Sequence, residues 1–359
     1  MSQPIRFPNK AGKDFITELR QNVESYFTEK HLSQYANVGM VFKTIILLGI
    51  YFGAYGLILS GIFQPWQMLL LCIIMGIGKS GIGFSIAHDA IHGAYSSKKW
   101  VNTMLGFSMN IIGGSAYVWK ITHNFVHHTY TNIHGMDEDL EVTSMMRLAP
   151  TARHKKIHRF QHLYFPIVYG LTTLSWVFSK DYKKMSQKEI GPYKNTGHPA
   201  SEVVTLIISK AIYYTYTIVI PLLVLHIPVW QFLIGFLVMH ITAGVILGIV
   251  FQLAHVVEDI EYPAPDESGM MENAWAIHQM KTTSDFGRKN KLLNWYVGGL
   301  NFQVEHHLFT NICSVHYPAI SEIVKVTAEK YHVPYNEHRT FRGAVRSHYS
   351  VLKHYGRNI

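Results

Sequence analysis

Four runs of the chain, at about 44–61, 66–87, 203–225 and 229–254, carry apolar residues on nearly every face instead of along one stripe. Each is long enough to cross a hydrocarbon core of about 30 Å as a helix, which takes about 20 residues. Only Ile62 to Pro65 joins the first two, and only His226 to Pro228 joins the last two, so each pair doubles back as an antiparallel hairpin. Two further apolar stretches, 101–118 and 163–178, are shorter and broken, one by Gly113 and Gly114, the other by Pro166 and Gly170. Helices lying in the membrane interface are expected there; a six-span alternative, with both crossing, would leave the sidedness of everything else unchanged. The pattern divides the chain into a polar segment 1–39, a membrane domain 40–330 and a polar tail 331–359.

Charge orients the hairpins. Of 32 lysines and arginines, six lie in residues 1–43, thirteen in 87–202 and eleven beyond 255, with none in either short turn. By the positive-inside rule, both termini and the long central segment face the cytoplasm. Topology thereby accounts for the net charge of +9 and removes the need for a nucleic-acid partner. Composition agrees, since 48% hydrophobic against 15% charged residues is apolar for a chain wholly in water. Cys72 and Cys313 are too few for a disulfide framework and are expected to be packing thiols. The start has no apolar run of the kind a cleaved signal peptide needs.

Histidine supplies the chemistry. With 22 in 359 residues, a lone H-x-x-x-H should arise by chance about once, whereas H-x-x-x-H-H should arise about 0.08 times. The first cluster, His88-Asp89-Ala90-Ile91-His92, continues the second span, and one helical turn puts His88 and His92 on a common face. Asp89 is placed to accept the second ring N–H of a ligand histidine. In the second, His123-Asn124-Phe125-Val126-His127-His128, an α-helix would put His123 and His127 on one face and turn His128 away by about 100°, toward a second metal. The third is Gln303-Val304-Glu305-His306-His307, where the Gln303 amide is one turn from both imidazoles. His255, at the end of the fourth span, completes the set.

All of these fall on the cytoplasmic side, near the ends of spans two and four, so the topology lets them converge. Eight imidazoles without cysteine or a full carboxylate set favour iron over magnesium or calcium and leave zinc open. The expected fold is an all-α integral membrane protein, with four transmembrane helices in two hairpins, interfacial helices, and a cytoplasmic helical cap holding a di-metal site. His154, His158 and His162 also recur every four residues, but Arg153, Lys155, Lys156 and Arg159 run among them and oppose a dication. That stretch is expected to face lipid phosphates or a charged substrate headgroup, with Arg147, Lys180, Lys183 and Lys184 as further phosphate contacts. His134, His226, His240 and His278 are expected to be structural; His240 and Lys210, both inside spans, have no partner that the sequence can name.

With these residues in place, the chain from about 40 to 330 resembles the membrane fatty acid desaturases, whose three boxes it carries in order as H-D-A-I-H, H-N-F-V-H-H and Q-V-E-H-H. Glutamine at the start of the third box resembles the front-end desaturases, as do the flanking H-H-T-Y-T-N and N-F-Q-V-E-H-H-L-F strings. The resemblance implies a non-haem di-iron centre held by His88, His92, His123, His127, His128, His255, His306 and His307, with Gln303 at the place of a further ligand. It implies O2 as co-substrate and a cis double bond formed in a fatty acyl chain, on CoA or on a membrane lipid. Many front-end relatives carry a fused cytochrome b5 domain with an H-P-G-G haem motif. Here His198-Pro199 runs on into Ala200-Ser201, and the first 39 residues are too few for that domain. No haem of its own is therefore expected, and electrons would come from a separate ferredoxin or cytochrome b5. The rival readings are a di-iron lipid hydroxylase, and, from another class, a zinc hydrolase or metal transporter. A hydrolase needs only three protein ligands, and a transporter places its site near mid-membrane.

Overall fold

The computed structural model describes residues 5–8, 12–140, 143–194 and 197–357. Four helices in it are long and apolar enough to cross a membrane: Val38–Leu59, Pro65–Ile91, Ala200–Val224 and Val229–His255. The first begins earlier than its apolar run because Asn37 caps it, its side chain accepting the Met40 N–H at 3.0 Å. The second starts on Pro65, with the Gln67 side chain folded back to accept the Gln64 N–H at 2.8 Å. It then runs through to Ile91, so the first histidine box rides on the end of a span. Neither stretch read as interfacial is among the four. Shorter helices and irregular loops make up most of the rest, and among the described residues strands form two small sheets, Glu189–Ile190 antiparallel to Tyr193–Lys194, and Ser284–Phe286 parallel to Asn336–His338 with Ser284 opposite Asn336.

Between lipid-immersed helices there is little hydrophobic drive, and close backbone approach and polar ties do the work instead. Gly76 faces the Met239 carbonyl, and Gly244 sits under the Tyr169 and Gly170 carbonyls. A Cβ on Gly244 would lie 2.4 Å from the Gly170 oxygen, against backbone that cannot swing aside. Gly244→Ala is therefore expected to cost about 1–3 kcal/mol, read as a lowered thermal midpoint in detergent; an unchanged midpoint would show that the two backbones can part freely.

The polar ties answer the question left open for His240 and Lys210. The His240 ring meets Thr173 Oγ at 2.8 Å, Tyr213 Oη at 3.0 Å and Lys79 Nζ at 3.5 Å, all buried. Lys210 Nζ donates to Asp181, to the Gly113 carbonyl and to the Trp176 carbonyl, at 2.7, 2.7 and 2.8 Å. Thr173, Trp176 and Gly113 come from the two broken apolar stretches. The second of these is thus drawn in against spans three and four as deep as His240, near the middle of its helix, further than an interfacial position requires. Beyond this layer, on the side away from the histidine boxes, Tyr55, Met68, Cys72, Met75, Phe236 and Met239 line part of a cavity of about 80 Å³.

The remaining helices form a cap over one end of the bundle. Helix Lys13–Glu29 buries Phe15, Leu19 and Val23 against Ile320, Val324 and Ala328 of Tyr317–Lys330. Helix Phe341–Arg357 buries Ala344, Val351 and Leu352 against span four and helix Gln161–Gly170. Within it, the buried His348 donates from Nδ1 to the Val256 carbonyl at 2.6 Å, and its Nε2 accepts from Tyr169 at 2.9 Å.

Burial lowers the His348 pKa to about 4. Because this folded value lies below the unfolded one of about 6.5, the contribution is complete above pH 6.5 and is lost as pH falls toward 4. It amounts to at most about 3 kcal/mol. The thermal midpoint of metal-free protein should fall over that window, and the fall should be shallower in His348→Gln, which does not titrate.

Candidate metal centre

The three boxes and His255 meet at the junction of bundle and cap. One group comprises His88, His92, His123 and His306 and a second comprises His127, His255 and His307, the candidate ligand atoms within each group lying within 4.8 Å of one another. His128 lies between the two, its ring 4.6 Å from that of His306 and 4.4 Å from that of His307. Seven of these eight rings are buried and His92 is partly so. Several of their nitrogens have no hydrogen-bond partner: both of His88, Nε2 of His92, His306 and His307, and Nδ1 of His128. Orphaned buried acceptors are costly and call for a partner, and the common chemistry of these atoms is ligation. The donor set therefore fits a metal site.

Local helix geometry places His128 differently from the α-helical expectation. Lys120–His127 is a π-helical turn, as is Ile82–Ala87 immediately before His88. Bonding five residues back instead of four widens the turn. It brings His128 Nε2 to 3.1 Å from His123 Nε2, so those two share a side, while His127 goes to the second group. The expected pairing of His123 with His127 is kept, since their rings stack at 5.2 Å and both join Asp139 in a third candidate group; the expected separation of His128 from His123 is corrected.

Outer partners fix the rings. The His127 Nδ1–H donates to both Asp137 oxygens, at 3.0 and 3.1 Å, with Asp139 at 3.6 Å. The His255 Nδ1–H donates to the Thr282 carbonyl at 3.1 Å and the His307 Nδ1–H to Gln279 Oε1 at 2.8 Å. His306 Nδ1 meets Tyr317 Oη at 3.2 Å. Each bond leaves Nε2 directed at the centre, the arrangement that metal-binding histidines commonly need. Burial lowers the pKa of His92, His123, His128, His306 and His307, with neighbouring imidazoles adding to it, so the neutral form that ligates is favoured. For His127, burial is outweighed by the Asp137 carboxylate, which holds the imidazole up at about 9.

Asp137, Gln279 and Tyr317 were missed in the sequence. Asp89, named there instead, is 3.5 Å from His88 Nδ1, and its other oxygen accepts from the Ser314 N–H, the Ser314 hydroxyl and the Cys313 thiol, at 3.1, 2.8 and 3.2 Å. Its observed work is to clamp the first box to the loop after the third. Gln303 is buried at the start of helix Gln303–Leu308, and its amide nitrogen has no partner. Arg153, Lys155, Lys156 and Arg159 are exposed. Arg147 is not available for that role: it is buried, and its guanidinium donates to the carbonyls of Pro150, Ala152 and Tyr355. Lys184 pairs with Glu138. His134 and His226 are exposed, and the buried His278 meets the Thr131 carbonyl at 2.8 Å.

The fatty acid desaturase family model matches residues 64–339. Similar proteins include an sn-1 linoleoyl-lipid 6-desaturase of Arthrospira platensis, 37% identical over 94% of this chain and 92% of that one. A protein of the same name from Synechocystis is 35% identical over 99% of both. An acyl-lipid (8-3)-desaturase of Physcomitrium patens is 32% identical over 98% of this chain and 74% of its own length. With four apolar spans, three histidine boxes folded into one metal-binding cluster, and matches of this extent, the chain belongs to the fatty acid desaturase family of membrane oxidoreductases.

Proposed function

We propose that this desaturase holds two iron ions and uses O2 to introduce a double bond into the acyl chain of a membrane glycerolipid, on the carboxyl side of existing double bonds. The observation that carries the two-ion reading is that seven of the eight imidazoles fall into two candidate groups, with His128 between them and with His123 and His127 also meeting across the boundary beside Asp139. His88, His92, His123 and His306 would hold one ion and His127, His255 and His307 the other, with His128 between and the Gln303 amide as a further ligand. The lipid-linked substrate and position 6 are proposed from the names of the two cyanobacterial relatives.

The ions supply the oxidising power that no side chain has, namely the capacity to activate O2 toward an unactivated C–H bond. The protein's own part is orientation and exclusion of water. Asp137, Gln279 and the Thr282 carbonyl fix the tautomers of three ligands, and Tyr317 orients the His306 ring. Trp119 lies against His88, His92 and His123, its ring 5.4, 5.8 and 4.2 Å from theirs. It borders a small hollow shared with Met109, Thr122, Trp176, Lys180 and Asp181, by which the acyl chain would approach. The exposed cations Arg153, Lys155, Lys156 and Arg159 would face lipid phosphates, and both termini and the centre would face the cytoplasm.

The test is expression in a host of defined lipid composition with a competent electron donor. Double-bond positions are then read by mass spectrometry and iron is measured on the purified chain. New double bonds at position 6 of lipid-linked linoleoyl chains, with close to two irons per chain, are expected. Hydroxylated products, unchanged acyl chains, or zinc in place of iron would each overturn it.

A further inference from the structure

We propose that the outward stripe of helix Phe341–Arg357 is the docking face for a small acidic one-electron carrier protein, which delivers reducing equivalents next to His255. The proposal rests on the reading of His255 as an iron ligand. Removing two hydrogens from adjacent methylenes yields two electrons and two protons, whereas reducing O2 to two waters takes four of each. Two electrons and two protons must therefore be supplied from outside for every double bond. A one-electron carrier would supply the electrons in two visits, being oxidised once in each.

The helix contains no carboxylate. Arg342, Arg346, Tyr349, Lys353 and Arg357 recur at intervals of four, three, four and four, which places them in one line along its outer face. Arg342, Arg346 and Arg357 are exposed and Lys353 partly so, and none of the four makes an ion pair among the described residues. Such an unneutralised line of one sign attracts an acidic partner and speeds its encounter.

The opposite face carries His348, which hydrogen-bonds the carbonyl of Val256, the residue covalently next to His255. A carrier seated on the stripe is thus separated from a ligand's backbone by one helix, about 10 Å thick.

An anionic membrane surface would also suit cations, but the exposed apolar residues argue against it here. Ile157, Phe160, Leu163, Ile167 and Leu171 make an exposed apolar edge on the neighbouring segment, suited to lipid, whereas helix Phe341–Arg357 exposes only Tyr349 among its large apolar side chains. Its line of cations faces water.

The test uses the full chain, loaded with iron, in phosphatidylcholine nanodiscs. The dissociation constants of an acidic [2Fe–2S] ferredoxin and of the soluble haem domain of cytochrome b5 are measured at low and high salt. The triple variant Arg342→Glu, Arg346→Glu, Lys353→Glu should bind the responding carrier more than ten-fold more weakly and lose most of the salt dependence. Arg20→Glu, an exposed cation on another helix, should bind as the unmodified protein does.

Protein reduced anaerobically with dithionite and then given O2, with no carrier present, should form product in one turnover in all three forms. Failure of that step would strike the desaturase reading and leave the docking result to stand by itself. Unchanged affinity of the triple variant for both carriers overturns the proposal. So does a triple variant whose only defect is lost thermal stabilisation by phosphatidylglycerol, which would assign the face to lipid headgroups.

Discussion

His307→Ala is expected to abolish product formation and to lower the metal bound per chain, while leaving the helical content of the protein intact. His307 belongs to the group with His127 and His255, so its removal leaves two imidazoles to hold what three held. Its Nδ1 is committed to Gln279, and its buried Nε2 has no other partner. Loss of an outer partner alone costs 10–100-fold in affinity or activity, so loss of the imidazole itself should exceed about 100-fold. His306→Ala should do the same through the other group. His154→Ala, in the histidine run interleaved with cations, should keep both metal and activity. Metal analysis of the three purified proteins decides the matter: full metal content in His307→Ala would remove His307 from the ligand set.

Asp137→Ala should weaken metal binding by about 10–100-fold without touching a ligand. The carboxylate is buried, receives His127 on both oxygens, and also accepts the Asn132 N–H at 2.9 Å and the Asp139 N–H at 3.0 Å. Removing it frees the His127 ring to rotate and loosens the turn that follows the second box. Asp137→Asn keeps an acceptor in place but not the charge, so it should fall between the alanine variant and the unmodified protein. Competition with a chelator measures both affinities. Equal affinity in all three proteins would mean that the ring is held by packing alone.

Much of this was legible in the sequence, and the parts that were not share a cause. The three boxes announce themselves because metal ligation needs several imidazoles close along the chain. His255 could be placed because the end of an apolar run is easy to find. That two metals share the second box was foreseen, but not the placing of His128 beside His123, since it depends on a π-helical turn at Lys120–His127 that leaves no mark in residue spacing. Asp137, Gln279 and Tyr317 carry no motif either: ordinary polar residues become ring anchors only through the packing of separate segments. The buried ties of His240 and Lys210 were hidden likewise, because their partners lie on the broken apolar stretches, and sequence shows that these are interrupted without showing how far they are drawn in.

The clamp at Asp89 bears on the order in which the protein can be made. Asp89 and Ser314 are 225 residues apart, and His306 and His307 lie just before that contact. During synthesis the spans can enter the bilayer one hairpin at a time, and the first two boxes are complete long before the third exists. The cluster can close only when the segment from Gln303 to Tyr317 has emerged and docked under the first box. Until then six of the eight imidazoles stand without the other two. Metal would therefore be captured at the close of assembly, and a chain stalled or cut before residue 303 would reach the membrane correctly threaded and permanently without a complete site.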